Sequence, residues 1–197
     1  MIRFLIAVLA LTFFVPDAAV AQTPSAPAST TYGFLTHAAF FSVEVMPADL
    51  VDPQVFVADR RSGAATGPQG IAHLAGYRPA LGVDDPSNAL SNALGKPLGF
   101  TLASWFTARG TVVLAPSGND TRATLAFSGL VPAGRYSMFE NHFSPAGVTF
   151  TPLDGTGTTN SFSAAADGSA QLALTIPGRV RHSEGILLVY HSDGVDH

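Results

Sequence analysis

Cysteine is absent and charge is scarce: 10 Lys and Arg and 14 Asp and Glu stand among 197 residues, with a formal net charge of -4. Without cysteine there is no disulfide, thiolate nucleophile, zinc finger or iron–sulfur cluster. So few basic side chains give no positive field to hold a phosphate backbone, and nucleic acid is excluded as an expected partner. Long apolar runs are missing too, since residues 4–15 stop well short of the roughly 20 that a membrane-spanning helix needs. The sequence has no Gly-x-Ser-x-Gly elbow, no Gly-rich loop ending in Lys-Ser or Lys-Thr, and no His-Glu-x-x-His. Standard hydrolase, nucleotide-binding and zincin chemistries therefore have no carrier. What the composition supplies is a core. Hydrophobic residues make up 47% of the chain, enough at this length for one domain without covalent staples.

The N-terminus is ordered like an export signal. Arg3 is a positive start, residues 4–15 are apolar, Pro16 ends the run, and Ala19-Val20-Ala21 precedes Gln22. This pattern predicts a signal peptide over residues 1–21, cleaved after Ala21, and a secreted or periplasmic mature protein with no transmembrane segment. Residues 22–31 (QTPSAPASTT) are small, polar and proline-bearing, and read as a flexible linker. One folded domain is expected over residues 32–197.

Within it, residues 38–46 (AAFFSVEVM) and 54–58 (QVFVA) are short and rich in β-branched and aromatic side chains, as strands are. Residues 62–99 carry many Gly, Pro, Asn and Asp with no sustained period and read as irregular. Thr101 can cap a short helix over residues 102–109, with Leu102, Trp105 and Phe106 on one side and Gly110 at its stop; a strand is the competing reading there. From Thr111 the segments TVVLA, RATLAFSGL, GRYSMFENHF, GVTFTPL, NSFSAA, SAQLALTI and GILLVYHS alternate with turn residues. That spacing predicts an all-β fold, an antiparallel β-sandwich of Greek-key or immunoglobulin-like kind with one short helix. At Asp167-Gly168, a three-residue loop over 166–168 with Gly168 left-handed would place Phe162 opposite Leu172 and keep one apolar face.

Candidate chemistry gathers near the ends of two strands. Alternation puts Tyr136, Met138, Glu140 and His142 on one face of their strand and Ser137, Phe139, Asn141 and Phe143 on the other. In the last strand, Leu187, Val189 and His191 share a face. Imidazole and carboxylate suit zinc or copper, so Glu140, His142 and His191 form a candidate metal site if the two strands are neighbours. The preferred alternative for the trio is a hydrogen-bonded patch that ties strand ends to loops. Ser137 and Ser192, beside these histidines, are the candidates for a nonstandard hydrolase. Asp84-Asp85 with Asn88 is a possible calcium loop that lacks the EF-hand spacing.

Ser128-Gly129-Leu130-Val131-Pro132-Ala133-Gly134 leading into a strand, the turn Ala165-Ala166-Asp167-Gly168-Ser169-Ala170, and the strand end Leu188-Val189-Tyr190-His191 together resemble the Cu/Zn superoxide dismutase sandwich. The likeness covers roughly residues 111–193. It implies a copper ligand at His191, whereas the family's His-x-His pair falls here on Met138-Phe139-Glu140, residues 147–160 contain no histidine, and the family's disulfide has no cysteine. The expected function is a non-enzymatic binding or interaction module for an unknown small-molecule or protein ligand, with no cofactor. A copper- or zinc-binding periplasmic protein is the alternative.

Overall fold

Strict alternation along 120–128, with Thr121, Ala123, Leu125 and Phe127 buried and the residues between them largely exposed, is the pattern of a strand with one face on a core. Around such strands the chain builds an antiparallel all-β sandwich. The computed structural model describes residues 29–35, 50–67, 70–145, 147–180 and 184–196. The expected signal peptide, most of the expected linker and the strand expected at 38–46 lie outside the described residues.

The first sheet has the order β1-β8-β9-β13, formed by β1 (Thr30–Leu35), β8 (Arg109–Ser117), β9 (Asp120–Ser128) and β13 (Ala170–Ile176). In the second, β10 (Arg135–Ser144) is central. It pairs β14 (Glu184–His191) along one edge, and β11 (Gly147–Pro152) and β12 (Ser161–Ser163) along the other. All these ladders are antiparallel. Val112, Leu125, Phe127 and Ile176 of the first sheet share one hydrophobic cluster with Tyr136, Met138, Phe162 and Tyr190 of the second. Aromatic rings link the layers: Phe127 stacks on Phe162 at 5.4 Å, Phe162 on Tyr136 at 5.6 Å, and Tyr136 meets Tyr190 at 5.1 Å. Such contacts add about 0.5–1.5 kcal/mol each beyond simple burial.

The segment 62–99, expected to be irregular, carries several short strands separated by turns. β2 (Phe56–Ala58), β5 (Tyr77–Pro79), β6 (Ala89–Ser91) and β7 (Pro97–Thr101) make a third sheet of order β5-β2-β6-β7, and β3 (Ala65–Thr66) pairs β4 (Ala72–His73) in a small ribbon. Apart from β2, which falls within the strand expected at 54–58, these strands of two to five residues are too short to display a period, which hides them in the sequence. Val57 and Leu90, opposite each other across β2 and β6, enter the main core. The helix α1 (Leu102–Trp105) is capped as expected, with the Thr101 hydroxyl accepting from the Ser104 N–H. It ends earlier than expected because β8 begins at Arg109. Leu102 and Trp105 are buried, while Phe106 is exposed. Among the described residues, no helix is long and apolar enough to cross a membrane.

β10 changes neighbours at Met138, and the loop 153–160 makes the change possible. The Met138 N–H donates to the Asn160 carbonyl at 2.8 Å, and its carbonyl accepts from the Leu153 N–H and the Asn160 side-chain amide, both at 3.0 Å. The buried Asp154 carboxylate organises the loop, accepting the backbone N–H groups of Thr156, Gly157, Thr158 and Thr159 at 2.6–3.0 Å. Burial pushes this carboxyl up. The N–H groups of Thr156, Thr159 and Gly157, with the Thr159 hydroxyl, outweigh burial and hold it well below the usual carboxylate range.

The expected hairpin at Asp167-Gly168 is a turn between sheets. β12 pairs β10 and β13 pairs β9, so Phe162 lies opposite Tyr136 and Leu172 opposite Leu125 rather than facing each other. Both residues still serve the one core, which lies between the two sheets and not along a single ladder. The left-handed glycine is present: Gly168 has φ 75°, and its carbonyl accepts the Leu130 N–H at 3.0 Å. A β-carbon there would lie 2.5 Å from the Leu130 carbonyl oxygen. Gly168→Val combines a left-handed penalty with overpacking and is expected to cost about 2–5 kcal/mol, against less than about 1 kcal/mol for Ser169→Val. Urea-denaturation midpoints of the two variants check this, and equal midpoints would reject it.

Candidate functional site

Antiparallel register fixes what each face of the β10–β14 ladder carries. Tyr136 faces Tyr190 and Met138 faces Leu188, on the side of the sandwich core. Ser137 faces Val189, Phe139 faces Leu187 and Arg135 faces His191, on the other side. Phe150 of β11 lies opposite Asn141 and extends that second face. Leu50 packs on Leu187, Phe139 and Val189 there.

Residues of the ribbon and of the third sheet's connections stand over this face and leave a cavity of about 550 Å³. Phe139, Phe150, Leu187 and Val189 line it from the second sheet, and Ile71, Ala72, Ala93 and Leu94 from the opposing segments. Leu94 and Phe150 are 68% and 44% exposed, which marks them as the lip. The remaining lining is polar and connected. Gln54 Oε1 accepts the Ser192 N–H at 3.0 Å, the Asn92 side-chain amide reaches the Ser192 carbonyl at 3.5 Å, and His191 and Asp193 flank Ser192 in the chain.

The three candidate metal ligands are not brought together. Glu140 and His142 share a face, with Oε2 and Nε2 4.0 Å apart, and His142 Nε2 meets the Thr151 hydroxyl at 2.7 Å. His191 occupies the opposite face, opposite Arg135, seven register positions from His142. That separation is about 23 Å along the strand. Among the described residues no group of three or more His, Asp or Glu is placed to hold a metal ion. The two strands are neighbours, which is the condition the candidate site required; the register and face parity are what separate the trio.

His191 and Ser137 do meet. Their Nε2 and Oγ are 2.8 Å apart, and Ser137 Oγ lies 2.7 Å from Ser161 Oγ. Both partners of the first contact are buried. In a hydrolase the serine must face the substrate and the histidine stand behind it. Here His191 lines the cavity and Ser137 does not, so the order is reversed. Ser192 lines the cavity, and its backbone is fixed by Gln54 and Asn92. The possible calcium loop is occupied by its own contacts: Asp84 forms a bidentate pair with Arg78 at 2.6 and 2.8 Å, and Asp85 caps the Ser87 N–H and hydroxyl. The Arg78 hydrogen bond is the main cause that holds the Asp84 carboxyl low.

Gln54 and Asn92 were not legible as site residues. Asn92 opens a turn in which its backbone carbonyl accepts the Gly95 N–H, and its side-chain Oδ1 accepts the N–H groups of Leu94 and Lys96. Turn chemistry is all that the sequence announces there. Comparison with protein-family models, with curated proteins and with solved structures finds no match.

Two residues before Gln54, Asp52 is 7% exposed and accepts the Gln54 N–H at 2.7 Å. Burial pushes its carboxyl up to about 7, against the pull of that N–H, which favours the charged form. A carboxyl raised on folding binds its proton more tightly in the folded chain. Its contribution is therefore complete below the unfolded value near 3.8 and is lost as pH rises toward 7. Asp52→Asn keeps an acceptor for the Gln54 N–H and removes the ionisation. The variant is expected to be about 1–3 kcal/mol more stable than the parent at pH 8, with a flatter profile between pH 4 and 7. Denaturation midpoints across that range measure it; a parent whose stability rises from pH 4 to 7 while the variant matches it at pH 8 would contradict it.

Proposed function

We propose that the chain is an exported, non-enzymatic binding protein that takes a small apolar molecule into the cavity between its second sheet and the segments over it. The observation that carries this reading is the cavity itself. Its volume of about 550 Å³ falls within the range of small-molecule sites, and its lining joins many apolar side chains to a few convergent polar ones. The reversed order of Ser137 and His191 favours binding over hydrolysis. The distance between His142 and His191 favours a site without copper or zinc.

Export follows from the residue order at the N-terminus, so the secreted form is expected to begin at Gln22. N-terminal sequencing of secreted protein checks this, and a retained Met1 on membrane-bound material would overturn it.

Binding is expected to be saturable for an apolar fluorescent naphthylamine dye titrated into the mature protein. Val189→Phe, on the sheet, and Ala93→Phe, on the opposing turn, reduce the space by enlarging two different walls. Each is expected to weaken dye binding at least about tenfold while the circular dichroism spectrum is unchanged. Unchanged dye affinity in two folded variants would reject the cavity as the site.

A further inference from the structure

We infer that the molecule taken up is uncharged and ends in a hydrogen-bond acceptor, a carbonyl or ether oxygen, which the side-chain amides of Gln54 and Asn92 hold at the polar end of the cavity. This rests on the cavity reading above and deepens it to a chemical class.

Both amides line the cavity and are more than nine-tenths buried, at 8% and 6% exposure. Their orientation is set by backbone donors. The Ser192 N–H can pair only with an oxygen, so at 3.0 Å it fixes Gln54 Oε1 and leaves the NH₂ on the other arm. Asn92 Oδ1 is likewise fixed by the N–H groups of Leu94 and Lys96, both at 3.0 Å. The two NH₂ groups carry four N–H bonds between them. The Ser192 carbonyl takes one of these from Asn92, at a long 3.5 Å. Donors at the buried end of an apolar cavity are best used by an acceptor brought in by the ligand, because a buried donor left unmade costs more than the same bond yields in water.

Charge narrows the class further. Among the described residues the lining has no Lys or Arg and one carboxylate, Asp193, while His191 directs Nε2 to Ser137. A carboxylate or phosphate head would enter beside a like charge, the carboxylate of Asp193. An ammonium head would set donors against the donors of Gln54 and Asn92. A neutral ketone, ester or quinone has neither conflict.

Calorimetric titration of the mature protein at pH 8 with three probes of equal chain length, 2-decanone, decanoate and decylammonium, tests the inference. The ketone is expected to bind at least about tenfold more tightly than either ion. Gln54→Glu and Asn92→Asp each keep the oxygen that accepts the backbone N–H groups and replace the NH₂ with an oxygen. Each is expected to weaken ketone binding at least about tenfold and to leave the naphthylamine dye bound, which shows the cavity intact. Decanoate binding as tightly as the ketone, or ketone affinity unchanged in both variants, overturns the head-group assignment while dye binding preserves the cavity. Failure of the dye and all three probes to bind the parent protein overturns both.

Discussion

Around Tyr136–Phe139 the β10–β14 ladder is covered on both faces, by the sandwich core on one and by the third-sheet segments on the other, and this double burial governs what the rest of the molecule can be. A strand pair with one wet face sheds its polar side chains into water. Here alternate positions must all be apolar or partnered. Tyr136, Met138 and Tyr190 meet the demand on the inner side, and Phe139, Leu187 and Val189 on the outer. The polar residues between them are engaged at close range: Ser137 with both His191 and Ser161, and the Tyr136 hydroxyl with the Val131 N–H at 2.9 Å. The Asn141 carbonyl oxygen is an exception, buried with no hydrogen-bond partner among the described residues.

Keeping β10 inside two ladders at once requires its backbone to remain paired where β11 ends and β12 begins. Asp154 makes that possible from a distance. Its carboxylate gathers four consecutive N–H groups into one turn, and the resulting loop delivers Asn160 to both backbone groups of Met138. The charge on Asp154 thus supports a residue in the core that it does not touch. The same loop spares the sheet an unpaired edge at its middle, where a gap would expose backbone groups to no solvent.

The long strands were legible because each shows enough residues to display alternation, from Arg109–Ser117 through Glu184–His191. Thr101 announced the start of its helix by capping chemistry, and the spacing of Leu102 and Trp105 its buried side. Of the third sheet only Phe56–Ala58 was legible, within the strand expected at 54–58; Tyr77–Pro79 and Ala89–Ser91 are three residues each, and the order in space, β5-β2-β6-β7, is a property of tertiary packing. At the site, face parity could be read along β10, but the relation of His142 to His191 depends on register, which no local signal sets. The turn at Gly168 was correctly read for its backbone and misread for its topology. A left-handed glycine ends a strand in the same way whether the chain returns to the same sheet or crosses to another.

The polar end of the cavity is made by contacts between residues very far apart in the chain. Gln54 reaches Ser192 across 138 positions and Asn92 reaches it across 100, whereas β8 and β9 meet through a turn of two residues. Loop-closure entropy orders these events, since local hairpins form at small entropic cost and long closures are repaid only once both of their ends are already structured. Closing the cavity therefore carries a larger loop-closure cost than forming the β8–β9 hairpin. A molecule that enters it favours the docked state over any intermediate with an open second sheet. By mass action, any molecule held there adds to the stability of the whole fold as well as filling a site.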